Sequence, residues 1–486
     1  MFRVSVVSIL FVALAAGAAV ADSLVSIMSW PYGSWDVGLN YAEPENNLQG
    51  LPIEGRIAHL VYPVIGLPAL VEPGGSLLLI VSYPYREPLM SESAWDVELL
   101  TRFVDIYTSE TAGDPVGQRY PLAVERVSFD RLWRKYLVEC RLPSDVPQDT
   151  YALFVSTDEF VDLQPASVGV RESRDSFDFV HICDTHLNAP RGFFGFDYNS
   201  QNYPFYQPDD KPTGILLQEI HELGLLDIDM AILTGDLVYG TEPYYEFEDL
   251  YRILRGSSVP IFMNPGNHDG YATYMFSSDL YWDELNFFKR FFGPLYYSFD
   301  WGPLHFVCLN SYDGSARRRD SFPLPPVASP VDNWGGFLSD RQIFWLEADL
   351  SAASEEGKPS LVFAHHDPRG PFTPNEPFPT SPLGLEGHEE WNIDSAAWDS
   401  DPSDSISNET PAYNTGIRAL EMFNLYGVSA MFMGHVHWDH LERFDGGEQI
   451  LSYDGDPTGI IADHTIQFVH TTTAGSSPHT EDDYWG

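Results

Sequence analysis

Met230-Ala231-Ile232-Leu233-Thr234-Gly235-Asp236-Leu237-Val238-Tyr239 reads as an apolar strand that runs into a glycine and ends on an acid. Gly235 permits close backbone approach at that point. The same construction recurs four times. His181-Ile182-Cys183-Asp184-Thr185-His186 closes a strand that begins at Phe177, and Asn264-Pro265-Gly266-Asn267-His268-Asp269 follows Val259 to Met263. His365-His366 follows Ser360 to Ala364, and Gly434-His435-Val436-His437 follows Ser429 to Met433. Five polar clusters thus stand just past five strand ends, where an open sheet gathers a site from distant parts of a chain.

Between these strands the apolar residues take the helical period. Helices are expected over Gly214 to His221, Tyr245 to Arg255, Asp340 to Ala352 and Gly416 to Tyr426, and a hairpin over Leu295 to Phe299 and Leu304 to Leu309. Alternating strands and helices with inserted sheet pairs predict an α/β (α+β) layered domain over residues 175–486. Residues 22–174 read differently. Short strands at Ala58 to Val64, Ser76 to Tyr83, Ala123 to Phe129, Tyr136 to Cys140, Tyr151 to Val155 and Ala166 to Arg171 are separated by turns such as Pro73-Gly74-Gly75. They predict an all-β sandwich-like accessory domain. One helix is expected within it, Glu92 to Tyr107, from Trp95, Leu99, Phe103 and Ile106. Its lone histidine is His59, and it holds no grouping of metal ligands, so a supporting or binding role is expected. Two stretches, 310–335 and 368–413, are rich in Pro, Ser, Asp and Gly and read as long loops beside the candidate site.

Composition excludes some partners. The 486 residues carry 71 acidic against 26 basic side chains, a net charge of -45, with lysine only at 135, 211, 289 and 358. Such a field repels nucleic-acid polymers and anionic membranes. It is suited to a saline or cation-rich medium that screens self-repulsion. Arg3, the apolar run Val4 to Val20 and Ala19-Val20-Ala21 before Asp22 read as a signal peptide over residues 1–21. The expected location is therefore secreted or extracytoplasmic (periplasm or cell surface), with no stable membrane anchor. Cys140, Cys183 and Cys308 lie in or beside apolar runs and are expected as buried free thiols.

The order and placement of the five clusters together resemble the calcineurin-like metallophosphoesterase superfamily, whose motifs are D-x-H, G-D-x-x, G-N-H-D/E, a strand followed by H, and G-H-x-H. The resemblance covers roughly 177–475; a sandwich-like region ahead of it is similar in outline to the purple acid phosphatases. It implies that Asp184, His186 and His437 hold one metal ion, that Asn267, His365 and His435 hold another, and that Asp236 bridges them. It also implies that His268 faces the ester oxygen. The chemistry agrees, because two neighbouring cations need an anion with two oxygens to share. Imidazoles, carboxylates and one amide oxygen suit Mn, Fe or Zn without deciding among them.

Several residues depart from the pattern. Tyr239 occupies the position from which purple acid phosphatases supply a tyrosinate, but those enzymes generally lack the histidine that stands here as His186. Tyr239 is therefore expected beside the ligands or in packing. No acid follows Asp236 to orient His268, and Asp269 is only adjacent in sequence. His366 and Asp367 are expected either to brace a ligand imidazole or to line the rim. Arg369 is expected to meet a substrate phosphate or to form a surface ion pair. Cys183 should point away from Asp184 by strand alternation, and His440 should lie outside the ligand set. Asn408-Glu409-Thr410 reads as an exposed glycosylation acceptor, and Asp399, Asp401 and Asp404 as a solvated acidic loop. The chain stops soon after a strand-like Ile466 to Thr471, where catalytic domains of this resemblance commonly add a further strand.

The function expected is a secreted, dinuclear-metal-dependent hydrolase of phosphomonoesters or small phosphodiesters. The alternative is a non-catalytic extracellular glycan- or surface-binding protein that uses the same fold as a scaffold.

Overall fold

The computed structural model describes residues 59–187, 212–313, 336–369 and 415–474 apart from short gaps, of which 102–117 and 272–283 are the longest. The expected leader, most of both long loop stretches, the Asn408 acceptor and the acidic loop at 399–404 lie outside the described residues.

Two sheets form the layered half. The first is parallel, with β10 (Phe179–Ile182), β11 (Met230–Thr234) and β12 (Ile261–Asn264) in that order. The second has six strands in the order β13 (Tyr297–Trp301), β14 (Leu304–Cys308), β15 (Ser360–Phe363), β16 (Val428–Met433), β20 (Ile466–His470) and β17 (His440–Phe444). Its central strands are parallel, while the expected hairpin β13–β14 and the pair β17–β20 are antiparallel. Between β17 and β20 in the chain, β18 (Gln449–Leu451) and β19 (Pro457–Ile461) make a separate antiparallel pair.

Strand alternation divides each sheet between two environments. Met230, Ile232 and Phe262 share a core with Phe299, Phe306 and Phe363 of the second sheet. Phe179 fits among Phe306, Phe363 and Phe432 with ring centroids 5.5–6.0 Å apart. The alternate residues Ala231, Leu233, Ile261 and Met263 pack instead with helix residues such as Leu216, Phe247 and Phe288. Those belong to α1 (Pro212–Leu223), α2 (Pro243–Leu254) and α3 (Glu284–Phe292), while α4 (Asp340–Glu355) and α5 (Thr415–Tyr426) pack on each other beside the second sheet. Aromatic faces between the sheets and helices outside them leave the strand ends free to carry polar groups.

The preceding region is built of strands, as expected: a four-stranded antiparallel sheet, β1 (Leu60–Tyr62), β3 (Ser76–Val81), β7 (Lys135–Arg141) and β6 (Ala123–Asp130), and a five-stranded one. The latter runs β2 (Ala69–Val71), β9 (Val161–Val170), β8 (Asp149–Ser156), β4 (Asp96–Leu100) and β5 (Arg119–Pro121). These sheets bind directly to the layered half. The Gly66 carbonyl accepts from Met263 N at 2.9 Å, and Thr150 Oγ1 donates to the Ser258 carbonyl at 2.7 Å.

One element differs from its sequence reading. Glu92–Ala94 is a single 3-10 turn, and Asp96–Leu100 is strand β4, not part of a helix. Trp95, Val97 and Leu99 are buried while Asp96 is exposed. A spacing of four is also twice two, so Trp95 and Leu99 satisfy strand alternation as well as a helical repeat. Phe103 and Ile106 lie outside the described residues.

Candidate metal centre

All five clusters converge at the C-terminal ends of parallel strands of the two sheets. Asp184 follows β10 by two residues, Asp236 follows β11 by two, Asn267 follows β12 by three, and His365 and His435 follow β15 and β16 by two each. The backbone there is unusual. Among the described residues six non-glycine positions have positive φ; five of them are Asp184 (53°), His186 (41°), Asp236 (50°), His435 (71°) and His437 (55°). Left-handed backbone costs on the order of 1 kcal/mol or more per residue and persists where the surroundings over-determine it, characteristically at functional sites. Here it turns each side chain back across the strand ends.

Glycine makes the close packing feasible. A Cβ on Gly434 would overlap Asp184 Oδ2 and the Cys183 side chain, and one on Gly266 would overlap Asp236. At Gly235 (φ 73°) it would meet the His365 ring at 2.6 Å.

The polar atoms form one continuous cluster. His186 Nε2 and His437 Nε2 are 3.1 Å apart, and Asp184 Oδ1 lies 3.1 Å from His437 Nε2 and 3.7 Å from His186 Nε2. Asp236 Oδ2 is 3.0 Å from His365 Nε2 and 3.8 Å from His186 Nε2. It therefore stands between one imidazole of each expected ligand set. The ligand nitrogens of His365, His366 and His435 also lie within 4.8 Å of one another. Each carboxylate keeps one oxygen tied to backbone: Asp184 Oδ2 accepts from His435 N and Asp236 Oδ1 from His268 N, both at 2.9 Å.

The donor set fits cations. Ligand atoms held at about 2 Å from one ion stand about 3 Å from each other, the spacing found here. His365 Nδ1 donates to the Thr234 carbonyl at 3.1 Å, so Nε2 faces Asp236 Oδ2 and either a proton or a metal ion must stand between them. Two acceptors in that position need a positive charge between them. Asn267 is 1% exposed, and its Oδ1 has no hydrogen-bond partner among the described residues. The clusters are thus able to chelate one or two divalent ions.

Protonation follows from burial and neighbours. Burial, with His268 beside it, lowers His186 to about 3, and burial with His365 lowers His435 to about 3. Both imidazoles are neutral, the form that binds metal. Burial raises Asp184 and Asp236, but the facing histidines outweigh it and both carboxylates are held below their usual range. Burial also lowers His365, yet Asp236 and Asp184 overcome this and raise it to about 9. His365 is where the pair of carboxylates concentrates its demand for positive charge.

A profile of the calcineurin-like phosphoesterases matches residues 177–439, more than half of the chain. The chain belongs to the calcineurin-like phosphoesterase family. The clusters able to hold metal ions all lie within the matched residues. Among curated proteins it is similar to the glycerophosphodiester phosphodiesterase GpdQ of Enterobacter lignolyticus (strain SCF1), at 28% identity over 190 residues. That alignment covers 39% of this chain and 56% of the relative, so the chain spans little more than half of that protein's length. Among solved structures it is similar to a purple acid phosphatase from yellow lupin (Lupinus luteus) seeds, with TM-score 0.38, 14% identity and coverage of 84% of this chain and 65% of that one. The Thermus thermophilus protein TT1561 gives TM-score 0.24 and 9% identity, covering 61% of this chain and 89% of that one.

The residues around the phosphoesterase cluster fall into place, some against expectation. His268 Nδ1 donates to the Tyr239 carbonyl at 2.8 Å, so a backbone group, which sequence reasoning missed, orients this imidazole. The Tyr239 ring lies 5.3 Å from the His268 ring and 6.3 Å from that of His186. Asp269 accepts from Gly266 N at 2.8 Å, Leu237 N at 3.0 Å and Val238 N at 3.1 Å. It fastens the turns after β11 and β12 together instead of pairing with His268. Burial and the nearby Asp236 raise Asp269 to about 7. His366 is buried, with Nδ1 2.8 Å from Ser311 Oγ.

Arg369 neither reaches toward a substrate nor lies at the surface. It is fully buried, bonded to Asp367 at 2.8 Å and Glu442 at 2.5 Å, with its guanidinium 3.9 Å from the Phe468 ring centroid. A desolvated guanidinium with two carboxylates has its donors committed. Asp367 also accepts from His470 at 2.9 Å, tying the loop after β15 to β17 and β20. Cys183 is a buried free thiol, as are Cys140 and Cys308. Its Sγ donates to the Thr471 carbonyl at 3.1 Å, but Asp184 stands close enough to raise it further after burial. The positive φ of Asp184 breaks the alternation that would have separated the two side chains. His440 is exposed beside Glu442. Among the described residues no helix is long and apolar enough to cross a membrane.

Proposed function

We propose that the protein is a secreted phosphoesterase that hydrolyses small phosphate esters at a two-ion centre. Asp184, His186 and His437 would hold one ion, Asn267, His365 and His435 the other, and Asp236 would serve both. Divalent ions bound there would supply Lewis-acid charge to a phosphoryl group and would make a bound water more acidic. Residues 22–174 form an accessory domain against the catalytic domain of 175–486.

The observation that carries this reading is the position of Asp236 Oδ2, 3.0 Å from His365 and 3.8 Å from His186, with His268 Nε2 at 4.0 Å. His268 is the residue for proton transfer. The Tyr239 carbonyl can only accept, so Nδ1 carries a proton and Nε2 faces the centre. Nε2 of His268 is thereby placed to pass a proton to the departing alkoxide. The strongly acidic surface disfavours long polyanions, while the imidazoles around the centre suit a small ester. Similarity to a protein named as a glycerophosphodiester phosphodiesterase supports small diesters as the first substrates to try.

The test is hydrolysis of nitrophenyl phosphate, bis-nitrophenyl phosphate and a panel of small diesters by the full chain, with Mn²⁺ or Zn²⁺ added and with both withheld. Metal-dependent cleavage of at least one ester class is expected. Failure of the metal-loaded protein on every ester would sink the reading.

A further inference from the structure

We infer that Tyr271 is a positioning residue that fixes the Asn267 amide for metal binding and steadies His268. The inference rests on the proposed role of Asn267. Asn267 Nδ2 donates to the Tyr271 hydroxyl at 3.1 Å, and both residues are buried. An amide presents an acceptor on one side and a donor on the other, and only the acceptor serves a cation. Pairing Nδ2 with Tyr271 leaves Oδ1, which has no other partner among the described residues, as the end available to an ion. Without the hydroxyl, a buried N–H would be stranded and the amide could rotate to satisfy it, turning its oxygen away.

The sequence delivers this contact locally. His268–Gly270 is a 3-10 turn directly after Asn267, and Tyr271 ends it four residues on. The Tyr271 ring also packs 4.9 Å from the His268 ring and 6.4 Å, edge-on, from Tyr312. Gly270 brings the turn against Tyr312, since a Cβ there would meet Tyr312 Cδ1 at 2.6 Å. One side chain therefore holds an amide ligand by its hydroxyl and the proton-transfer imidazole by its ring.

The hydroxyl is tested by titrating metal-stripped full-length protein with Mn²⁺ alone and counting bound ions, for wild type, Tyr271→Phe, Asn267→Ala and the double variant. Two ions are expected on wild type, and Asn267→Ala weakens the second. Tyr271→Phe should weaken the second ion about tenfold or more, leave the first unchanged and keep the thermal midpoint of the metal-free protein. In the Asn267→Ala background, Tyr271→Phe should change nothing further, a coupling that general packing loss would not produce. Unchanged affinity for both ions in Tyr271→Phe, beside a loss in Asn267→Ala, overturns the role of Tyr271 alone. Retention of both ions by Asn267→Ala overturns the assignment of Asn267 and this inference with it.

Discussion

The second sheet carries a buried cluster of histidine and aspartate near each of its ends, and the two are built on opposite principles. Near the start of β14 and β15, His305 lies between Asp300 at 2.7 Å and Asp349 at 2.9 Å. Lys358 closes on Asp300 at 2.8 Å, and Ser298 donates to Asp349 at 2.7 Å. Asp300 and Asp349 meet His305 and Lys358, which also pairs with the exposed Glu356 at 2.9 Å, and both imidazole nitrogens donate. Past the other end of β15, His365 joins Asp184 and Asp236 among neutral imidazoles, on backbone forced to positive φ. The first cluster completes its charge balance from the chain itself; the second converges lone pairs and asks for ions from outside. A buried His–Asp grouping is thus no sign of a metal site until its donors have been counted.

This contrast can be broken. The largest effect is expected from Asp236→Ala, which removes the oxygen between the two ligand sets. Elemental analysis should find both ions lost and ester hydrolysis reduced to background. His268→Ala is next, with kcat down about 10²- to 10⁴-fold while metal content stays at two. Losing ions as completely as Asp236→Ala does would remove His268 from its proton-transfer role.

Chelation sharpens the distinction. Stripping metal should abolish hydrolysis yet leave the His305 cluster intact, because no ion takes part in it. That cluster should instead answer to pH. Burial lowers His305, but Asp300 and Asp349 reverse this and raise it to about 9, above the ordinary histidine value of 6.5. A raised histidine adds stability fully below its unfolded pKa and loses it as pH climbs through the folded one. Unfolding free energies from denaturant titrations should therefore fall between about pH 6.5 and 9 by an amount on the order of 3 kcal/mol. His305→Ala should flatten that slope and leave metal content at two; a slope that persists in the variant would assign it to other groups.

Part of this was legible in the residues. Strand-end signals are local, so Asp184, Asp236, Asn267, His365, His435 and His437 stood out because an apolar run stops where each candidate ligand begins. The aromatic interior between the sheets follows from the same runs. Other features were hidden because they depend on a partner far away in the chain. Arg369 was open to a substrate phosphate or a surface ion pair until Glu442, in a strand that the sequence reading did not single out, closed over it in the interior. Strand β4 passed for a helix because its buried spacing fits both periods, and only pairing with β8 and β5 selects one.

By itself, then, the sequence determined which atoms could bind a cation and which chain segments would end in them, since ligand chemistry and strand termination are written in neighbouring residues. The tertiary structure decided which of those donors face one another, that a carbonyl orients His268, and that Asp269 fastens two turns together. Those outcomes depend on backbone direction at a few left-handed residues, and a side chain's identity carries no record of where another strand's turn will place its N–H groups.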